Sequence, residues 1–577
     1  MKKSKTILIK YNNKKEAAET YDHVISISTL LTDITKVEIV KTINKLSTIG
    51  IPSVGCLEYT ILWHKITNRN NIDLATSILI VEKLKCRLED LGVTHGTLVC
   101  EESLDEPYAR IVRDVATEND LEIERESYKS WKYSMSMLTQ YFITLLKLSL
   151  LIGDWFFAKL TRQKCQTNGS NIIYFPPIGR LNSTLSVVHH FDLKPRTIIT
   201  EPKWYYLLQL NAKKQLRDFH PTVTNQYLTL SGFIGQLRDI GTITYELMAG
   251  SSFTQNTIDQ VEQEFNMSLD TTTSFHIKEA LSNFRIIRAL ILRRSLRTVF
   301  KQDNVKKVIF GTFDPIGRAI SYEALDQGLK VYHIPHSIAT TRPPNPQSNV
   351  TSFLSGNMDK WYFEQVIPQN QQWKWVVAGR PYLTDLYQEY EEFEKKSGRD
   401  IKKNETIRVV IATQPLSGDK RKQFIQAVLN TFDSDQFNLI IKPHPDENIR
   451  LYEEAEQKYD HVQLITDQLY QKIVTSDLTV TIQSNVGLES MVIGTPTVCY
   501  NPWRPLVLDQ TFMLSDHVPV FRSKNELQTF VNHLNINGLS QLEEKQKEFV
   551  KQRYCLDVDA AADVAEYIMS DKNTIIA

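Results

Sequence analysis

The sequence lacks most features that mark the specialised classes of protein. Its 577 residues include six scattered cysteines, none in a CxxC pair, so the spacing favours neither a zinc site nor a disulfide framework and suits a reducing compartment. Lysine plus arginine number 67, as do aspartate plus glutamate, whereas a nucleic-acid-binding protein usually has a basic excess. The sequence has no GxGxxG motif with a ribose-binding acid, no Walker loop and no GxSxG elbow. It therefore lacks the signatures of the commonest dinucleotide-binding proteins, P-loop proteins and α/β-hydrolases.

Long uninterrupted apolar runs are also missing. The first apolar run is too short for a signal peptide, which predicts a cytoplasmic protein. The most apolar stretch, 137–164, contains Lys147 and Asp154, and no uncharged run in it reaches the roughly 20 residues that span a bilayer. Aromatic and then basic residues end it. Three interpretations stay open: a buried helix or hairpin, a helix at the inner face of the cell membrane, and a true span.

A basic helical pattern bears on the same question. Residues 279–303 carry five arginines. The pattern is typical of a core-packing helix with a solvated basic face, and contact with anionic lipid is the alternative.

Short apolar runs alternating with helical patterns are abundant. Runs rich in valine and isoleucine indicate strands that are covered on both faces, as in parallel sheets. These runs lie at 6–11, 96–102, 171–176, 196–200, 307–313, 329–334, 374–379, 407–414, 437–444, 462–466, 478–483 and 496–501. Helical patterns lie at 316–327, 420–432, 449–458, 485–493 and 525–534. The alternation predicts α/β doubly wound domains.

A charged stretch without a strand, 386–405, marks a boundary between two units. We expect residues 1–395 to form the first unit, with its Rossmann-like core at about 170–395 and an apolar helical insertion at about 131–165. Residues 405–577 form the second, a compact Rossmann-like domain. The residues before the first core are an N-terminal extension.

Polar residues follow three strands of the second unit. They are Gln414 and Ser417 after the first strand, Lys442, His444 and Pro445 after the second, and Ser484, Asn485, Gly487 and Glu489 after the third. A helix start with Ser, Asn and Gly offers amide donors and a partial positive charge to a phosphate. His444, held between two prolines that fix the backbone, and Lys442 add charged donors. Read singly, Ser484 is a helix cap and His444 a structural hydrogen-bonder; together they predict a nucleotide site.

The motifs "KPHP" and "SNVGLES", with "GTPTV" after them, resemble the C-terminal domain of GT-B glycosyltransferases over about 405–505. They are most similar to surface-polysaccharide enzymes, namely capsule Kdo and sialic acid transferases. Polyol-phosphate transferases of teichoic acid synthesis and nucleotide-sugar 2-epimerases are similar too. The resemblance implies two Rossmann-like domains facing a cleft. It also implies donor phosphate on His444, Ser484 and Asn485, and ribose on Glu489. Ser-Asn replaces the serine pair of the sialyltransferase pattern.

A transferase of this kind needs a base that deprotonates the acceptor hydroxyl. Asp314, at a strand end before a helix, is the first candidate, and a turn before Pro315 is its structural alternative. His336 is the second, in a segment where many such enzymes have His-Gly and this chain has Ser337. No DxD pair ends a strand convincingly, which favours metal-independent chemistry.

We therefore expect a metal-independent glycosyltransferase with no cofactor beyond its substrate, a UDP- or CMP-linked sugar. The acceptor is a surface polysaccharide or a lipid-linked glycan, and nucleic acid is not a partner. The alternatives are a CDP-glycerol-type polyol-phosphate transferase, a nucleotide-sugar 2-epimerase on the same fold, and a non-catalytic scaffold protein. The expected location is the cytoplasm, with membrane-surface contact through 137–164 as the further option.

Overall fold

The structure is a computed structural model. It describes residues 5–10, 21–32, 68–93, 95–100, 106–125, 170–177, 181–200, 210–227, 229–238, 252–270, 284–301, 304–335, 349–366, 374–397, 406–416, 418–445, 447–503 and 509–570, with isolated residues at 34, 38, 42, 153, 272 and 273. Ser417 and His336 lie outside the described residues, and so does the segment 131–165 apart from Gly153.

The described strands are short and have the following bounds. They are β1 (Lys5–Lys10), β2 (His23–Ser26), β3 (Gly96–Cys100), β4 (Glu122–Arg125), β5 (Ile172–Phe175), β6 (Arg196–Ile199), β7 (Thr222–Val223), β8 (Lys307–Phe310), β9 (Lys330–His333), β10 (Val350–Leu354), β11 (Lys374–Val377), β12 (Ile407–Ala412), β13 (Phe437–Lys442), β14 (Val462–Leu464), β15 (Leu478–Thr481), β16 (Thr497–Tyr500) and β17 (Val520–Phe521).

The α-helices that alternate with them are α1 (Ile27–Thr32), α2 (Asn68–Asp90), α3 (Glu106–Glu118), α4 (Asn182–His189), α5 (Leu210–Gln215), α6 (Ser252–Phe265), α7 (Phe284–Phe300), α8 (Pro315–Asp326), α9 (Asn357–Val366), α10 (Pro381–Ser397), α11 (Gly418–Thr431), α12 (Arg450–Lys458), α13 (Leu469–Val474), α14 (Asn485–Val492), α15 (Lys524–Asn532), α16 (Ile536–Arg553) and α17 (Ala560–Ser570). A further helical segment covers 230–238.

Three sheets follow one another along the chain. The first has the order β2-β1-β3-β4, the second β11-β10-β9-β8-β5-β6-β7, and the third β14-β13-β12-β15-β16-β17. Their strand pairs are parallel throughout the described residues. The predicted α/β class is confirmed, and the second and third sheets lie in the two units that were expected to be Rossmann-like. The N-terminal extension, in which strands were expected at 6–11 and 96–102, forms a parallel sheet of its own with β2 and β4 as further strands.

Each sheet starts at its middle and grows outward in both directions. In the third sheet the chain runs from β12 through β13 to β14, returns to β15 on the other side of β12, and continues to β17. This is the doubly wound order 3-2-1-4-5-6. The second sheet reverses between β5 and β8 in the same way. Ligands of open α/β sheets bind beyond the carboxyl ends of the strands at such a reversal.

The strand and helix positions expected from the apolar runs are confirmed, with ends that shift by a few residues. The predicted strand 437–444 ends at Lys442, and Pro443, His444 and Pro445 after it lie in a loop. Pro443 explains this end, because it has no N–H to donate to a neighbouring strand.

The apolar cores join the three sheets. One cluster of buried side chains runs from the first sheet, with Ile7 and Ile9, into the second, with Ile173 and Val308. The last helix, α17, returns from the third sheet to the second, where Val564 and Ile568 pack in its core. Lys307 Nζ of β8 donates to the carbonyl of Ile568 over 2.6 Å and so caps the carboxyl end of α17.

Several arginine side chains of the basic helix α7 make contacts within the fold. Arg288 and Arg293 are buried, and Arg293 forms an ion pair with the buried Glu323 of α8. Arg297 Nε contacts the other oxygen of Glu323 at 2.7 Å. The expectation of a solvated basic face is therefore wrong for Arg288 and Arg293, whereas the side chain of Arg297 is 41% exposed and agrees with it. The buried carboxylate of Glu323 needs such cationic partners close by. Among the described residues, no helix is both long and apolar enough to cross a membrane.

Candidate functional site

The carboxyl edge of the third sheet brings the three predicted segments together. Ala412, the last residue of β12, is in register with Lys442 on one side and Thr481 on the other. Adjacent strands lie about 4.8 Å apart, so Lys442 and Thr481 are about 10 Å from each other. The segments that begin at 413, 443 and 482 thus leave the sheet side by side, at the point where the strand order reverses.

His444 is held in its loop through both of its backbone groups. Its N–H donates to Glu447 Oε2 at 3.0 Å, and its carbonyl accepts from the Glu447 N–H at 2.9 Å. The same N–H also contacts Thr413 Oγ1 at 3.2 Å. Pro443 and Pro445 restrict the chain on either side, with Pro445 exposed. The loop geometry around His444 is therefore fixed by Glu447, by Thr413 and by the two flanking prolines.

Glu447 connects this loop to the rest of the edge. Its side chain is fully buried and lies 3.1 Å from Arg421 Nε of α11. Its Oε2 also accepts a hydrogen bond from the Thr413 hydroxyl at the end of β12. A buried carboxylate of this kind needs several donors to offset its desolvation, and here they come from three separate elements.

Lys442 lies at the carboxyl end of β13 and is half-buried. Its Nζ donates to the carbonyl of Pro443 at 2.9 Å. Burial lowers the pKa of Lys442, and the nearby charge of Asp467 acts in the opposite direction. The ammonium is within the same loop as His444, on a flexible stem that can be redirected.

Ser484 and Asn485 begin α14. Ser484 is the N-cap, and its Oγ accepts from the Val486 N–H at 3.3 Å. Asn485 Oδ1 accepts from Gln510 Nε2 at 3.0 Å, which leaves the Asn485 amide nitrogen as the group able to donate elsewhere. The first turn of α14 therefore combines backbone donors, the helix dipole and an oriented side-chain amide.

Gly487 has a packing role that the sequence did not suggest. The sequence placed it among the residues that offer amide donors to a phosphate. A Cβ at this position would lie 2.9 Å from Phe512 Cζ and 3.2 Å from Thr481 Cγ2. The absence of a side chain therefore lets α14 lie close to Phe512 and β15.

Glu489 is buried one turn further into α14. Its Oε2 accepts from the Tyr470 hydroxyl at 2.9 Å, and Tyr470 also contacts the Tyr382 hydroxyl. Burial raises the pKa of Glu489, while the charge of Arg380 opposes the shift. Arg380 is itself buried, and in the chain it lies between β11 and α10. Its charge therefore acts on a residue that follows β15 of the third sheet as well as on its local neighbours.

Two side-chain carbonyls complete the edge. The Oε1 atoms of Gln414, after β12, and Gln483, after β15, are buried and have no hydrogen-bond partner within the described parts of the chain. A carbonyl oxygen of this kind can accept a hydrogen bond from a ligand. Gln414 was expected from the sequence, whereas Gln483 was not.

Asp314 lies at the corresponding edge of the second sheet. It is the N-cap of α8, and its Oδ1 accepts from the Gly317 N–H at 2.9 Å and from Thr312 Oγ1 at 3.2 Å. Gly317 has no room for a side chain, because a Cβ there would lie 1.7 Å from the Thr312 carbonyl oxygen. The structural alternative for Asp314 was a turn before Pro315, and the structure shows Asp314 as the helix cap at that position. No hydrogen bond to Oδ2 occurs among the described residues.

His333 ends the strand beside β8. Its ring lies against Phe313, at 4.2 Å between ring centroids, and against Phe310. Its Nδ1 is 3.3 Å from Ser352 Oγ. In the described residues, no three His, Cys, Asp or Glu side chains are grouped as a metal ion would require.

Sequence reasoning missed the supporting residues Glu447, Thr413, Gln510 and Tyr470. Glu447 follows His444 by three residues, the reciprocal spacing of a capping box, and that signal could have found it. Gln510 and Tyr470 lie 25 and 19 residues from the side chains they contact. No local pattern marks such partners.

Comparison with solved structures finds only distant likeness. UDP-GlcNAc 2-epimerase from Neisseria meningitidis, bound to UDP-GlcNAc, has a TM-score of 0.41 and 13% identity, covering 70% of this chain and 99% of that chain. The glycotransferase of kitacinnamycin has a TM-score of 0.39 and 9% identity, covering 69% of this chain and 98% of that chain. The wall teichoic acid polymerase TagF has a TM-score of 0.37 and 10% identity, covering 77% of this chain and 98% of that chain. The likeness assigns no activity to this chain. No protein-family model and no curated protein matches it.

Proposed function

We propose that the chain is a glycosyltransferase that binds a nucleotide-linked sugar at the carboxyl edge of the third sheet. The observation that carries the proposal is the meeting of Lys442 and His444 with the start of α14 across β12, at the reversal of the strand order. Cationic and N–H donors on both sides of one strand end suit a phosphate or diphosphate. The buried carbonyls of Gln414 and Gln483 add acceptors for a sugar hydroxyl or a base.

In the proposed reaction an acceptor hydroxyl attacks the anomeric carbon of the donor. The bond between that carbon and the phosphate oxygen breaks, and the nucleotide leaves with the electron pair. Lys442, His444 and the N-terminus of α14 stabilise the charge that develops on the leaving phosphate. Asp314 takes the proton of the acceptor hydroxyl through Oδ2, with its Oδ1 held by the cap of α8. His336 is the second candidate for this base.

Glu489 has acceptor capacity for a ribose in addition to its bond from Tyr470. A carboxylate has about four lone-pair sites, and the Tyr470 hydroxyl occupies one of them. The acceptor of the sugar is a surface polysaccharide or a lipid-linked glycan in this proposal. Contact with the membrane surface through 137–164 belongs to the same proposal.

The test is incubation of the protein with UDP-, GDP-, CMP- and CDP-linked donors, followed by measurement of nucleotide release with and without glycan or lipid-linked acceptors. We expect release from one nucleotide class, and more release with an acceptor. Conversion of a UDP-sugar to its 2-epimer would instead identify an epimerase. Transfer of glycerol phosphate from a CDP-linked donor would identify a polyol-phosphate transferase. Binding of no donor at all would refute the proposed nucleotide site.

A further inference from the structure

Glu447 has contacts that join His444 to two other elements of the third sheet. We propose that Glu447 is a positioning residue that holds His444 toward the donor phosphate, an inference that rests on the proposed function. The side chain of Glu447 is fully buried and therefore acts through its neighbours.

The first step is the reciprocal pair of backbone bonds. Glu447 accepts the His444 N–H at 3.0 Å through its carboxylate, and it donates its own N–H to the His444 carbonyl at 2.9 Å. These two bonds close a ring across the tip of the loop. The ring sets the direction in which the Cα–Cβ bond of His444 leaves the backbone, while the flanking prolines limit the alternatives.

The second step is the attachment of that ring to the sheet. Thr413, the residue after β12, donates its hydroxyl to Glu447 and accepts the His444 N–H at 3.2 Å. Arg421 of α11 approaches the other carboxylate oxygen at 3.1 Å. The prolines make the loop stiff, but only these bonds fix its tilt relative to β12 and to the start of α14. His444 is therefore aimed before a donor arrives, and pre-organisation of this kind raises affinity.

The third step concerns the chemical requirement for a carboxylate. Its two oxygens face three donors, namely an amide, a hydroxyl and a guanidinium. In Glu447→Gln one oxygen becomes an NH₂ group, which turns a donor toward one of these donors. With the amide oxygen at the place of Oε2 the ion pair with Arg421 is lost, and with the NH₂ group at that place the bond from the His444 N–H is lost. The volume of the side chain is preserved in either orientation.

The experiment is a double-mutant cycle on nucleotide affinity. Calorimetric dissociation constants for UDP and CDP, with uridine and cytidine as phosphate-free probes, are measured for the wild type, Glu447→Gln, His444→Ala and the double variant. We expect Glu447→Gln to weaken nucleotide binding about tenfold, which is the scale of one charge-assisted hydrogen bond. It should leave nucleoside binding unchanged, and it should have no further effect once His444 is alanine.

Losses that add in the double variant would show that Glu447 acts independently of His444 and would overturn the positioning role. Absence of binding of UDP, GDP, CMP and CDP alike by the wild type would instead overturn the proposed function. Glu454→Gln, the same chemical change at an exposed site of α12, is the matched control and should bind as the wild type does. If Glu447→Gln does not fold, Thr413→Val removes the hydroxyl of the same ring, and the same non-additivity with His444→Ala is expected.

Discussion

At the residue scale, two buried glutamates lie on opposite sides of the carboxyl edge of the third sheet. Glu447 is bound within its own unit, to Thr413, His444 and Arg421. Glu489 is bound by Tyr470 and lies in the field of Arg380. The first therefore fixes a loop, while the second has partners from both sides of the junction between the sheets. Carboxylates with such different surroundings are suited to different tasks.

The role of Glu489 can be tested with nucleotides that differ only in the ribose. In Glu489→Gln the bond from Tyr470 can persist, whereas two strong acceptor oxygens for ribose hydroxyls become one amide oxygen. We expect about tenfold weaker binding of UDP or CDP, the value of a hydrogen bond to a charged group, and unchanged binding of the 2′,3′-dideoxy nucleotide. Isothermal titration provides the constants.

Glu566→Gln, at an exposed site of α17, is the control for the same substitution. An equal loss of affinity for both nucleotides would show that Glu489 supports the fold of the site and does not contact ribose.

The contrast between His444 and its partners shows how far the residue scale can be read from the sequence. His444, Ser484 and Asn485 stand out because a proline-flanked histidine and a polar helix start are local patterns. Gln510 contacts Asn485 across 25 residues, and this contact exists only because β16 and the segment after it return to the same edge. Partners that are brought together by tertiary structure leave no trace in the local sequence.

At the scale of elements, the strands of the three sheets were predictable because their residues are apolar on both faces. β5 is buried along its whole length, as its continuous apolar run indicates. The missed strands are short or mixed: β7 and β17 have two residues each, β2 and β4 have four each, and β10 contains Thr351 and Ser352. Such strands are formed by their neighbours in the sheet more than by their own composition.

The fit of α14 against Phe512 gives a prediction about stability. Gly487→Ala places a Cβ 2.9 Å from Phe512 Cζ, and overpacking of this kind costs about 1–3 kcal/mol. We expect a lower unfolding midpoint in urea and weaker nucleotide binding, because the start of α14 must move away from the edge.

Gly538→Ala in the first turn of α16 is the matched control, since its Cβ would meet no atom closer than 3.6 Å. Alanine is favoured over glycine in helices by up to about 1 kcal/mol, so this variant should be as stable as the wild type or more so. A Gly487→Ala protein of unchanged stability would contradict the close packing of α14.

At the scale of the whole molecule, the second and third sheets are joined by polar contacts as well as by the return of α17. Thr511, which follows β16, donates to Asp359 of α9 at 2.6 Å. Burial raises the pKa of Asp359 to about 6. Two strands of the first sheet could be predicted from the sequence, but these contacts between distant segments, and the pairing of those strands into a separate sheet, could not.

Asp359 makes the junction sensitive to pH. The pKa of about 6 in the folded chain exceeds the ordinary value of about 3.9, so the folded state holds more protons than the unfolded state between these values. The free energy of unfolding therefore falls as pH rises through this window, by at most about 3 kcal/mol for two pKa units. We expect the wild type to have a higher melting temperature at pH 5 than at pH 7.5.

Asp359→Asn removes this titrating group, so the gain in melting temperature at pH 5 should be smaller in the variant. Asp433→Asn, at an exposed position, should retain the wild-type dependence. A pH profile in Asp359→Asn that matches the wild type would rule out the junction carboxylate as its source.

The central claim is that His444 contacts the phosphate of a nucleotide donor. The most direct measurement is calorimetric titration of UDP and CDP, against uridine and cytidine, into the wild type and His444→Ala, with the exposed His533→Ala as control. We expect His444→Ala to lose about 10- to 100-fold in affinity for the nucleotide, as for a hydrogen bond to a charged group, with no change for the nucleoside. Unchanged nucleotide affinity in a folded His444→Ala protein would contradict the claim.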